Sequence, residues 1–183
     1  MPGSEILHTI APSNDSTIAL EVFKTGLLRR RKHILFFEKF DGELHYSPVC
    51  PEASRVAIHV DTHSLVCRDR WLKPKKQEAV GRYARDQALE ADRHPEIRFS
   101  STRIASKLLR GFVVEGVLNI RNITRVVKVN IVLTPMKNDR FQIDGDATLC
   151  LSDFGVKPPA GFWGLAGTKD EALVRLLLWA TPV

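Results

Sequence analysis

His94-Pro95-Glu96-Ile97-Arg98-Phe99-Ser100-Ser101-Thr102 opens a stretch that closes on Ser152-Asp153-Phe154-Gly155, with long alternating runs between. Phe112, Val114, Gly116, Leu118 and Ile120 recur at every second residue. Val127, Val129, Ile131 and Leu133 do the same, and so do Phe141, Ile143, Gly145, Ala147 and Leu149. A period of two sends alternate side chains to opposite faces of a strand. Residues 94–155 therefore read as consecutive antiparallel strands with one apolar face, on which Ile97, Phe99 and Ser101 also lie.

Working outward, Leu173 to Ala180 is apolar on both faces apart from Arg175 and reads as a further strand, covered on both sides. Upstream, Arg55-Val56-Ala57-Ile58-His59-Val60-Asp61 alternates cleanly, as do Ile18 to Phe23 and much of His33 to Leu44. Asp41-Gly42 reads as a tight turn, because Gly tolerates positive φ and Asp bonds its own backbone. The period changes only over residues 75–91, where helix formers carry an apolar stripe of Val80, Tyr83, Ala84, Ala88 and Ala91. Pro74 suits a first helical turn and Pro95 ends the helical region. Gly81 weakens the helix, which then depends on packing against the sheet. The expected fold is mainly β: one domain over residues 1–183, an antiparallel barrel of about eight or nine strands with one helix. Closure into a barrel hides the sheet edges.

The chain has 183 residues, 44% hydrophobic and 26% charged, which excludes a disordered chain and suits a single folded core. No apolar run approaches the roughly 20 residues of a membrane span. Met1-Pro2-Gly3-Ser4-Glu5 lacks the basic and apolar regions of a secretory signal. Cys50, Cys67 and Cys150 form no Cys-x-x-Cys pair, so the expectation is reduced thiols and a cytoplasmic location. The net charge of +6 concentrates in Arg29-Arg30-Arg31-Lys32 and in Arg68 to Lys76. These clusters are read first as solvated loops, and otherwise as contacts for an anionic head group, a membrane surface or nucleic acid.

No catalytic constellation is convincing. His59, Asp61 and His63 would share a strand face and suit zinc or iron, but Val56, Ile58 and Val60 claim the opposite face as core. Asp92, His94, Ser100 and Ser101 lack a nucleophile elbow. Asp153-Phe154-Gly155 stands without the other parts of a kinase, and Gly161, Gly164 and Gly167 lack the Lys of a phosphate loop. No catalytic residue, metal ligand or cofactor is therefore assigned. A metal-dependent enzyme using His59, Asp61 and His63, and a nucleic-acid binder using the basic loops, are the alternatives; specific nucleic-acid recognition is not expected.

The segment from His94 to Thr102 resembles the Tyr/His-Pro-Glu-Ile-x-Phe-x-Ser-Thr signature of the YceI-like family of polyisoprenoid-binding proteins. Gly116-Val117-Leu118-Asn119-Ile120 running into Thr124-Arg125 is similar to the family's Gly-x-Leu-Thr-Ile-His-Gly-x-Thr-Arg. Ser152-Asp153-Phe154-Gly155-Val156-Lys157 resembles its Arg-Ser-Asp-Phe-Gly-Ile segment. The resemblance covers about residues 16–181. Arg121-Asn122 departs from the usual His-Gly, and Leu151 from the usual Arg. It implies a lipocalin-like barrel, often dimeric, whose apolar cavity takes an isoprenoid or similar amphiphile. On that reading Phe99, Phe112, Val114, Leu118, Ile120, Val127, Val129, Ile131, Phe141 and Ile143 line the cavity. Phe154, Phe162 and Trp163 form its rim. The expected partners are the lipid, a second copy of the chain and, transiently, a membrane surface.

Overall fold

The computed structural model describes residues 5–108, 111–157 and 167–183. Among them, eleven strands run in chain order: β1 (Ile6–Ile10), β2 (Thr17–Lys24), β3 (Lys32–Phe37), β4 (Phe40–Tyr46), β5 (Arg55–Asp61), β6 (Leu65–Cys67), β7 (Glu96–Ser106), β8 (Gly111–Ile120), β9 (Ile123–Pro135), β10 (Phe141–Cys150) and β11 (Thr168–Pro182). A single α-helix, α1 (Pro74–Arg82), follows β6. No helix among the described residues is long and apolar enough to cross a membrane.

The sheet closes on itself. Neighbouring strands follow the order β1-β4-β5-β7-β8-β9-β10-β11, and β11 returns to β1 through Ala180–Ile10, Thr181–Thr9 and Pro182–His8. The mainly β, closed antiparallel barrel read from the sequence is therefore present, with eight strands in its wall. Strand β11 is forked along its length. Its last residues pair with β1, while Thr168 and residues 172–177 pair with β2, which continues through β3 to β6 as a three-stranded flap.

Alternation explains the inward faces and a bulge corrects it where it would fail. The β7–β8 register shifts between Ser101 and Arg103. Thr102 and Arg103 are both exposed, and Ile104 returns to the interior at 9% exposure. An extra residue at a bulge restores an apolar set that strict alternation would have turned outward.

The structure departs from the sequence expectation at Asp41-Gly42, in the helix and at Gly81. Asp41-Gly42 is not a turn: the β4–β5 ladder runs straight through it, with Phe40 opposite Val60 and Gly42 opposite Ile58. Glycine is needed there for close approach, since a Cβ would stand 2.5 Å from Ile58 Cδ1 and 2.6 Å from the Ala57 carbonyl oxygen. Glu38-Lys39 connects β3 to β4, which do not pair with each other. The helix is α only to Arg82 and continues as a π-helical turn over Tyr83–Ala88. Gly81 does not merely weaken it. A Cβ there would lie 3.2 Å from the Cys67 backbone nitrogen, so its absence lets α1 lie against β6. β1 and β6 are too short to announce themselves by periodicity.

The barrel has two ends. One carries the β8–β9 hairpin, where Arg121 and Asn122 take φ of 54° and 61° and Ile120 pairs with Ile123. Both central residues are thus left-handed, as a two-residue hairpin twisting with its strands requires. The other end carries the β9–β10 connection and His8.

Candidate functional site: an apolar barrel cavity

The interior of the barrel is open. A cavity of about 200 Å³ lies among the inward side chains, where roughly 10–15 Å³ of such space already holds a water molecule. Its lining reaches from Tyr46, Pro51 and Ser54 at the His8 end to Leu151, Phe154 and Val156 at the Arg121 end. At about 3.3 Å per residue, Phe112 to Ile120 on β8 spans about 26 Å. With a barrel tilt of about 40°, that is roughly 20 Å along the axis. A modest volume over that length suits a slender occupant.

Burial supports the same picture. Leu118, Val127, Ile131, Val174 and Leu176 all face inward and line the cavity, yet each is only partly buried. Inward side chains left partly uncovered are what an unfilled interior leaves. A packed barrel core would have closed it.

The lining has almost no chemistry beyond hydrocarbon. Among the described residues, Tyr46 and Ser54 carry its only side-chain polar groups, and none that is charged lines it. The Ser54 hydroxyl accepts the Ser47 backbone N–H at 3.0 Å, outside any interior network. Among the described residues, no carboxylate, imidazole, amine or thiol lines the cavity. What the cavity offers is burial of apolar surface.

Nine of the ten residues read from the sequence as cavity lining face it: Phe99, Phe112, Val114, Leu118, Ile120, Val127, Val129, Ile131 and Ile143. Phe141 does not. At the start of β10 its ring packs 4.7 Å from Tyr46 and 5.1 Å from the buried His8, closing the barrel end. Phe154, expected at the rim, is 2% exposed and lines the cavity from the short 3₁₀ turn Leu151–Phe154. Phe162 and Trp163 lie outside the described residues. The lining contributed by β2, β3, β4 and β5, including Leu20, Phe37 and Ile58, was missed, although the alternation of Ile18–Phe23 and Arg55–Asp61 marked it.

Asp61 and His63 meet, with His63 Nδ1 3.5 Å from the Asp61 carboxylate, but His59 is not brought to them. β5 ends at Asp61, and Thr62–Ser64 is a 3₁₀ turn, so the strand spacing that would align the three does not reach His63. His59 faces Asp41 at 3.5 Å, and His63 lies 3.1 Å from Asp92, all near solvent. A different cluster forms beneath the flap. Asp69 is 3% exposed; its carboxylate lies 2.6 Å from His33 Nδ1 and accepts the Ile34 N–H at 2.8 Å and the Cys67 thiol at 3.2 Å. His33, Cys67 and Asp69 are close enough to hold a metal ion. Their hydrogen bonds to one another already satisfy the carboxylate and join β3 to the connection between β6 and α1. The wide separation of His33 from Cys67 and Asp69 in sequence hid this cluster.

Comparison with known proteins matches the described architecture. The model of the YceI-like domain matches residues 10–177. The chain belongs to the YceI-like family. A UPF0312 protein of Pseudomonas putida (strain W619) is 27% identical over 128 residues, covering 67% of this chain. One of Vibrio cholerae (strain O395) is 28% identical over 130 residues, covering 66%. This YceI-like chain spans 63% of the length of each of these relatives. In three dimensions it is similar to BcnA of Burkholderia cenocepacia, with a TM-score of 0.70 and 19% identity over 90% of this chain and 96% of that one. It is also similar to a polyisoprenoid binding domain from Saccharophagus degradans, with a TM-score of 0.67 and 10% identity over 96% and 98%. At these identities the likeness is one of fold.

Proposed function

We propose that this YceI-like chain binds or carries a polyisoprenoid or another long-chain amphiphilic lipid in the barrel cavity, without catalysing a reaction. The observation that carries this reading is a cavity reaching along the barrel with no charged residue among the described residues of its lining. The description of the Saccharophagus degradans domain as polyisoprenoid binding supports the ligand class. Burying a methylene group contributes about 0.8 kcal/mol, so a chain of about ten gains about 8 kcal/mol. That offsets a substantial part of an association cost of about 4–15 kcal/mol. No cofactor is needed for such binding.

The test is organic extraction of the purified protein followed by mass spectrometry. A bound long-chain lipid near one per chain is the expected result. Repeated absence of lipid, with no uptake of the fluorescent polyene cis-parinaric acid, overturns the proposal. The same reading takes the chain as a cytoplasmic homodimer. Exposed Val126 and Val132 on the outer face of β9 offer apolar surface for a second copy. Light scattering on the purified protein and fractionation of the producing cells test these two statements.

A further inference from the structure

The two basic clusters, about forty residues apart in sequence, meet at Trp71. Its indole Nε1 donates to the Lys32 carbonyl at 3.2 Å, and its ring stacks on His33 at 5.4 Å. The Arg31 guanidinium lies 5.3 Å from the Trp71 ring centroid, and Arg68 lies 5.6 Å from that of Phe36 on β3. Arg29–Lys32 and Arg68–Lys76 are therefore one surface. Two of its cations are neutralised, Lys32 by Glu21 at 2.8 Å and Arg68 by Glu38. Among the described residues, Arg29, Arg30, Arg31, Arg70, Lys73, Lys75 and Lys76 are exposed and make no ion pair.

At one edge of this surface the β2–β3 connection lifts two leucines into solvent. Gly26–Leu28 is a 3₁₀ turn, entered at positive φ through Gly26, and Leu27 and Leu28 are 82% and 40% exposed. The turn stands beside the start of β11: Thr25 N–H donates to the Gly167 carbonyl at 2.9 Å, and Gly167 N–H to the Thr25 hydroxyl at 3.0 Å. A phosphate backbone has no use for two adjacent exposed leucines. A bilayer surface uses both parts, because basic side chains meet anionic head groups while apolar ones enter the acyl boundary.

We propose that this face docks the barrel onto an anionic phospholipid bilayer, with Leu27 and Leu28 entering the interface and the Arg29–Lys32 and Arg68–Lys76 cations on the head groups. The inference rests on the lipid-binding reading above: the bilayer would be where cargo is taken up or released. Trp71 holds the two halves of the surface together through its contacts with Lys32, His33 and Arg31.

The experiment is flotation with vesicles of phosphatidylcholine, with and without about 30 mol% phosphatidylglycerol, an anionic content that attracts polybasic surfaces. The chain should float with the anionic vesicles and stay behind with phosphatidylcholine alone. Arg29→Glu with Arg30→Glu and Arg31→Glu should lower the partition coefficient by about 100-fold or more, at roughly fivefold for each of the three cations lost. Lys73→Glu with Lys75→Glu and Lys76→Glu should do the same. Leu27→Ser with Leu28→Ser should leave low-salt binding and abolish what persists at high salt. Thermal melts and uptake of cis-parinaric acid show that each variant is folded and its cavity intact. No flotation of the wild type with anionic vesicles overturns the docking proposal. So does unchanged flotation of both charge-reversal variants, or binding to duplex DNA tighter than to vesicles and indifferent to the leucines. Vesicle binding by a chain that takes up neither lipid nor cis-parinaric acid would leave docking standing and remove the carrier reading.

Discussion

The Arg121 guanidinium lies 3.0 Å from the Glu90 carboxylate and joins the β8–β9 hairpin to the segment that follows the helical turn. The same guanidinium donates to the Gly155 carbonyl. One side chain thus ties three separate stretches across one end of the barrel, and it does so from a left-handed backbone. Arg121→Ala is expected to lower stability by about 1–3 kcal/mol, the cost of leaving partly buried charged and polar partners unmatched. Urea denaturation measures it. A smaller loss in Arg121→Gly than in Arg121→Ala would show the backbone strain that glycine relieves.

Gly116 should not accept a side chain. A Cβ there would stand 2.5 Å from Phe99 Cζ and 2.5 Å from the Ser100 carbonyl oxygen. The ring of Phe99 covers the gap in the neighbouring strand and lines the cavity. Gly116→Ala should cost about 1–3 kcal/mol, as overpacking in a filled site does. It should also reduce uptake of cis-parinaric acid, because Phe99 must move. Equal uptake with lowered stability would separate the two effects.

Val127 offers the converse test. It faces the cavity and is only partly buried, so a larger side chain has room. Val127→Trp should change stability by less than about 1 kcal/mol, below the usual cost of overpacking, and should reduce lipid recovered by extraction. Retained lipid at wild-type stoichiometry would place the ligand elsewhere.

The Cys67 thiol is pushed up from 9.0 to about 11, first by burial and then by the neighbouring Asp69 carboxylate, against a lowering backbone hydrogen bond. Its proton is held more tightly in the folded chain than in the unfolded one. Its contribution to stability is therefore full below pH 9 and is lost as pH rises toward 11. Denaturation across that window should show the fall, and Cys67→Ala should flatten it. Under mild alkaline conditions a thiol reagent should modify the exposed Cys50 and Cys150 while Cys67 stays protected.

Long ladders were legible in the sequence. Residues 111–120, 123–135 and 141–150 alternate strongly, and nine of ten inward assignments among them and β7 face the cavity. Phe141 keeps the inward parity of its strand but sits at the strand's end, where neighbouring rings close the barrel, which periodicity cannot show. Gly42 misled because a glycine after an aspartate serves turns and close strand contacts alike. The meeting of His33 with Asp69, and of Arg31 with Trp71, depends on how the flap folds against α1. Each pair is separated by some forty residues, and no local pattern joins them.

The fork in β11 also makes one strand serve two partners that are both distant in sequence. Residues 168–177 find β2 and β10, but the barrel closes only when Ala180–Pro182 reach Ile10–His8, across some 170 residues of intervening chain. So distant a pairing is slow to form. Until these residues meet, the chain holds an open apolar sheet with β1 and β11 unjoined. Such an unclosed sheet exposes apolar surface and free strand edges, the features that open a folding intermediate to aggregation.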